Sequence, residues 1–275
     1  MEINFKNFSY KQDSGTSREK KFFDKINLTI KNNSVVAFLN DNIEVLNMFF
    51  SLSKRPSSGE IKFDDIVFNR TSHIDNIELL KNRIGIIDSE KVFYSNKTIK
   101  NVIEEYMNAN GYVTKNKKKH IIGSLKIVGM SEEYLERDPN ELSFNEQMML
   151  KLACVMSYNP EVIVLNDFTK RFIFRERDYF RKLFLKLKNQ FNKTIILIGN
   201  DTEFLFEIVD NFYVINNAKL VFEGDKNSFY DEKLYKYIEL PKIVEFTKYA
   251  QTLGHEILQY TDTKELLKEL YRVIK

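Results

Sequence analysis

An α/β fold, built on a central and mostly parallel sheet with an antiparallel β subdomain beside it, is what this sequence predicts. Three observations lead there. Val162–Leu165 (VIVL) and Thr194–Ile198 (TIILI) are unbroken apolar runs, as expected of strands covered on both faces in a parallel sheet. A helical pattern over Arg175–Gln190 lies between them and makes a βαβ unit. Nearer the N-terminus, a short apolar strand (Val35–Leu39), a turn and an apolar helix follow one another, the scaffold on which phosphate-binding loops are built.

The remaining elements are read in chain order. Ile3–Tyr10 and Phe22–Ile30 alternate apolar and polar residues and are expected as strands, with the polar stretch Lys11–Lys21 as a loop between them. Glu60–Phe68 reads as a hairpin and Arg83–Ile87 as a short buried strand. Apolar residues at Ile99, Val102, Ile103 and Tyr106, and again at Ile121, Leu125 and Val128, mark helix from Thr98 to about Leu135. Ser143 followed by Glu146 is a capping box that opens a helix ending near Asn159-Pro160. Phe212–Ile215 and Lys219–Phe222 form a last hairpin. Beyond Gly224, helices are expected over Lys233–Tyr237, Lys242–Leu253 and Lys264–Ile274.

The chain has 275 residues, of which 43% are hydrophobic and 29% charged, enough for a large domain with a substantial core. Its net charge of +3 provides no global basic field for nucleic-acid binding. Lys115–His120 (KNKKKH) reads as a solvated face or loop, with a polyanion contact as the second reading. Cys154, the single cysteine, is expected to be a buried small hydrophobe. His73, His120 and His255 are expected on the surface. Met1–Lys6 opens directly into strand-like alternation, so no leader is expected, and no apolar run approaches the ~18 residues of a membrane-spanning helix.

The turn after Val35–Leu39 departs from its scaffold. No glycine occurs between Gly15 and Gly59, although a phosphate-binding loop uses glycines to wrap backbone N–H groups around phosphate and a lysine to meet the terminal one. The turn is read as Asn40, Asp41, Asn42, Ile43, Glu44, Val45, Leu46, Asn47 and Met48, with two carboxylates and no lysine.

Five segments in order give the chain a resemblance to ATP-binding subunits of ABC transporters, of the energy-coupling factor type that powers micronutrient uptake. They are Phe8–Asn33 with its polar loop, Lys54–Ile61 (KRPSSGEI), Val128–Ser143 (VGMSEEYLERDPNELS), Asn159–Asp167 (NPEVIVLND) and Ile238–Gly254. The resemblance implies a P-loop NTPase-like ABC nucleotide-binding domain over 1–225, with an inserted helical subdomain at about 95–158, and a C-terminal helical region over 226–275. It also implies ATP and magnesium as ligands.

Carried over position by position, the resemblance puts Tyr10 where an aromatic stacks on adenine. The Walker A turn falls at Asn40–Met48, with Leu46 or Ile43 at the lysine position. Ser89 occupies the Q-loop glutamine position. The signature motif falls at Leu142, Ser143, Phe144, Asn145 and Glu146, with Phe144 and Asn145 replacing glycines that let a phosphate approach. Asn166 replaces the magnesium-holding aspartate and Asp167 the glutamate that polarises water. Ile173 lies at the D-loop aspartate and Asn200 at the switch histidine. No metal-ligand set is assigned.

Because phosphate grip, metal ligand, phosphate sensor and signature glycines are altered together, the expectation is a pseudo-ATPase with a structural or regulatory role. Such a subunit would pair with a second, intact ABC ATPase, preferably as a heterodimer, and with a transmembrane subunit at the inner face of the cell membrane. The alternatives are a weakly active ATPase whose phosphate grip comes from Lys54 or Arg55, and an interaction module that has left transport. Nucleic acid is not an expected partner.

Overall fold

The computed structural model describes residues 1–40, 42–88, 97–169 and 172–273. Among the described residues, ten strands form two sheets. In the first, β2 (Lys20–Ile30), β1 (Ile3–Gln12), β4 (Ser58–Phe63) and β5 (Ile66–Asn69) run antiparallel in that order. The second has six strands in the order β10 (Lys219–Gly224), β9 (Asn211–Asn216), β3 (Val35–Asn40), β8 (Thr194–Ile198), β7 (Val162–Asn166) and β6 (Ile84–Asp88). All its neighbours are parallel except the β9–β10 hairpin.

Alternation explains why the central strands are apolar throughout. Successive side chains point to opposite faces, so Val35, Ala37, Leu39, Ile163, Leu165, Ile195 and Leu197 join one buried cluster with the helices. Val36, Phe38, Val162, Val164, Ile196 and Ile198 join another, against the antiparallel sheet. Each such side chain contributes about 1.5–3 kcal/mol on burial. Gly59 lets β4 approach β1: its φ is +74° and an added Cβ would stand 2.2 Å from the Asn7 carbonyl oxygen.

The helices are α1 (Ile43–Phe50), α2 (Ile74–Lys81), α3 (Ile99–Ala109), α4 (Lys117–Ile127), α5 (Phe144–Met156), α6 (Phe174–Phe191), α7 (Thr202–Ile208), α8 (Lys242–Thr252) and α9 (Thr263–Val273). Helix α5 carries the anticipated capping box: Ser143 Oγ accepts from the Glu146 N–H at 3.3 Å, and Glu146 Oε2 accepts from the Ser143 N–H at 2.9 Å. Cys154 on α5 is fully buried, as expected.

Several sequence expectations are corrected. Most of the turn expected at Asn40–Met48 is helix: α1 starts at Ile43, two residues after β3 ends. Without glycines to hold an open loop, the apolar repeat of Val45, Leu46, Phe49 and Phe50 carries the helix back toward the strand. Lys233–Tyr237 is a single 3-10 turn (Glu232–Leu234) rather than a helix. From Lys117 onward the lysine run is the first turn of α4. His120 is half-buried, its Nε2 2.7 Å from the Ser157 carbonyl oxygen and its ring stacked on Tyr112. The C-terminal residues Phe229, Leu234, Val244 and Leu266 belong to the same buried cluster as the sheet and the α3–α5 helices.

Candidate functional site

In a parallel sheet of this kind, ligands bind outside the carboxyl ends of the strands. Asn40, Asp88 and Asn166 end β3, β6 and β7 here, and Asp88 and Asn166 are register partners. Asp167 directly follows β7, and Asn200 lies two residues beyond β8. The structure thus places Asn40, Asn166, Asp167 and Asn200, the positions the resemblance assigns to Walker A, Walker B and the switch, at the strand ends of one edge.

The described side chains there are mostly neutral or acidic. Leu46, one of the two lysine positions, is 1% exposed and packed in the core under β1 and β4. Asn47 and Asn166 each carry a buried Oδ1 with no hydrogen-bond partner, and Asn166 is only 8% exposed. Both atoms are neutral acceptors, weaker for a hard dication than a carboxylate and unable to donate to a phosphate. Asp167 adopts φ +46°, held by its N–H donating to the Ile198 carbonyl at 2.8 Å. Gly199 lies against it: a Cβ there would be 3.7 Å from Asp167 Oδ1. Asn200 is exposed, and its carbonyl accepts from the Thr202 N–H at the start of α7.

Beside this edge is a cavity of about 280 Å³, bounded by Leu39, Asn200 and Val214–Asn216 and covered by Tyr237–Glu239. Among the described residues its lining includes Glu239 and no lysine or arginine.

Tyr10 on β1 is half-buried in an aromatic group, its ring 4.9 Å from Phe49 of α1 and 6.1 Å from Phe22. Leu142 is buried, and Ser143 caps α5. Phe144 lies edge-on to Phe172 at 6.1 Å, so it is part of a packed aromatic cluster that continues through Phe168 and Phe180. Asn145 also has a buried Oδ1 without a partner. Glu146 receives the Tyr134 hydroxyl at 2.6 Å, and that bond holds its carboxyl below the usual range. Ile173 and Phe174, at the start of α6, are 64% and 83% exposed. Asp41, Ser89 and the side chains of Asn40 and Ile43 lie outside the described residues.

Some contributors escape a sequence reading. Lys151 on α5 is 7% exposed and donates to the Asp88 carbonyl at 2.8 Å, tying the signature helix to the end of β6. Asp201 caps α7 and pairs with Arg177 of α6 at 2.9 Å. A lysine in the second and third turns of an otherwise apolar helix was the available signal for Lys151.

Comparison with known proteins bears on this arrangement. The ABC transporter family profile matches residues 23–170. The chain belongs to the ABC transporter family. Its relatives include the energy-coupling factor transporter ATP-binding protein EcfA2 of Streptococcus thermophilus, 24% identical over 267 residues and 93% of both chains. EcfA2 of Streptococcus agalactiae is 26% identical over 283 residues, covering 100% of this chain and 99% of the relative. Among solved structures, CbiO1 of Clostridium perfringens, part of the CbiONQ complex, superposes with a TM-score of 0.74 at 21% identity over 92% of this chain and 97% of its own. The cassette MJ0796, solved as a dimer with ADP and phosphate, gives 0.69 at 19% identity over 82% of this chain. This ABC chain therefore has the cassette fold across nearly its whole length.

Proposed function

We propose that this ABC chain is a pseudo-ATPase: a cassette subunit of an energy-coupling-factor-like importer that keeps the fold for a structural or regulatory role. The names of its relatives, which it matches end to end, support the transport setting. In this reading it binds a transmembrane subunit at the inner face of the membrane and pairs with a second, catalytically intact cassette. A homodimer would contain two impaired sites.

The single observation that carries the reading is the β3–α1 junction. With α1 starting at Ile43 and Leu46 committed to the core, the described residues of this junction include no glycine and no lysine for the phosphates. ATP with magnesium, which the family implies, does not fit these residues: the metal position offers the neutral, buried Asn166 Oδ1. No hydrolytic step is derived through it. The altered positions Asn166, Asp167, Asn200, Phe144 and Asn145 become scaffold, and Tyr10 packs α1 against the antiparallel sheet.

Thermal denaturation with ATP, with and without magnesium, tests this. An intact site at 100 times its Kd would gain ~2.7 kcal/mol, a rise in Tm of roughly 5–10 °C in a domain of this size. The expected increment from magnesium is nil. A magnesium-dependent rise of several degrees would contradict the reading.

A further inference from the structure

An open cleft of about 550 Å³ lies between α4, the end of α5 and the end of α6, apart from the strand-end site described above. Its volume falls within the ~300–1,000 Å³ of small-molecule sites. One wall is aromatic: Tyr112 and His120 stack with centroids 4.7 Å apart and planes 23° from parallel. Since a carbonyl oxygen only accepts, His120 Nε2–H is the donor to Ser157, which fixes the imidazole plane. Phe191, Ile127 and Met156 supply further apolar surface.

The electrostatics of the cleft have one sign. Among the described residues no carboxylate lines it, and Lys119 is part of its lining. Lys186 donates to the carbonyl of Ile127, a lining residue, and lies 6.0 Å over the ring of Phe191. Behind the Asn159 wall, Lys193 is only 5% exposed, and its hydrogen bonds go to neutral oxygens: Asn159 Oδ1 at 2.7 Å, the Asn159 carbonyl at 3.4 Å and the Pro160 carbonyl at 2.6 Å. Glu161 acts on it only at longer range. The nearby Lys117, by contrast, is paired with Glu104 at 2.7 Å. Burial pushes the Lys193 ammonium below its usual range, and Glu161 opposes that shift. Where charged, with hydrogen bonds among the described residues only to neutral oxygens, the ammonium adds positive potential to the adjoining cleft.

We propose that this cleft binds a small molecule combining a flat aromatic ring with an anionic group such as a phosphate monoester. The ring packs on the Tyr112–His120 stack and Phe191, and the anion meets Lys119 and the electropositive Asn159 wall. The lysine run that opens α4 thereby has a partner of definite chemistry. The site is independent of the cassette's strand-end site.

Fluorescence titration of the full chain with 1-naphthyl phosphate tests the proposal, and the absence of tryptophan leaves the probe signal clear. Saturable binding is expected. Affinity should fall about tenfold or more in the Lys119→Gln/Lys186→Gln variant, the size of one lost charge-assisted hydrogen bond, and should fall likewise in Tyr112→Ala. It should be unchanged in Tyr10→Ala. 1-Naphthol and inorganic phosphate should each bind at least tenfold more weakly. The two lysines are half-exposed or exposed, so their variant remains folded and informative if Tyr112→Ala does not. Unchanged affinity in the double lysine variant, equal binding of either half-probe, or weakening by Tyr10→Ala would each overturn it.

Discussion

Asn166 occupies the position the resemblance gives to a magnesium-holding aspartate. It ends a central strand, 8% exposed, with an Oδ1 that finds no donor. A buried unpaired acceptor costs roughly 1–3 kcal/mol. If, as proposed, no metal or nucleotide requires the group, an apolar residue of similar volume is better. Asn166→Leu should raise Tm by about 2–4 °C for each kcal/mol regained, measured by thermal melting; a lower Tm would mean the carboxamide is held by a ligand. Arg83 plays the opposite part. It reaches Glu161 with Nε at 2.6 Å and also pairs with Asp64, tying the antiparallel sheet to the parallel one. Its hydrogen bond holds the Glu161 carboxyl below the usual range. The folded pKa is depressed, so this contribution is present above the unfolded value of about 4.3 and is lost as pH falls through the folded one. The groups are partly exposed, so about 1 kcal/mol or less is at stake. In Arg83→Met, acid unfolding followed by circular dichroism should begin at higher pH than in the native chain. An unchanged acid midpoint would remove the pair from the account.

At the scale of elements, α5 is the best-defined piece of the family's machinery that persists. Its capping box was visible as Ser143 and Glu146 in the sequence, and both bonds are made. Ser143→Ala should cost about 1 kcal/mol and lower Tm by about 2–4 °C; a null effect in the melt would show that the cap is redundant with the packing of Phe144 on Phe172. The central strands were equally readable, because burial on both faces leaves a run such as TIILI no polar position. Two helices were not. In α7, five of seven residues are buried, so no amphipathic period exists to detect. α2 (IDNIELLK) has a single fully buried residue, Leu80, and is too polar to stand out. The start of α1 was misplaced because the family's turn was expected there, while the local apolar period favoured helix. Lys151 and Lys193 were read past for another reason: sequence alone assigns lysines to solvent, and only the fold buries these two.

The whole molecule keeps the cassette's sheets, its helical subdomain and a C-terminal segment whose Phe229 ring packs 4.3 Å from Phe212 of β9. The altered positions on which the proposed loss of hydrolysis rests are those the resemblance assigns to the strand ends and the signature, and hydrolysis depends on positioning and charge neutralisation at the phosphates. Position by position the substitutions were legible in the sequence. Their consequence was less so, because only the packed structure shows Leu46 buried and Asn166 without a partner. The central claim is tested most directly by steady-state ATP turnover of the purified chain with magnesium. The account predicts no release of phosphate above the protein-free control. Magnesium-dependent turnover that Asp167→Asn abolishes would contradict it.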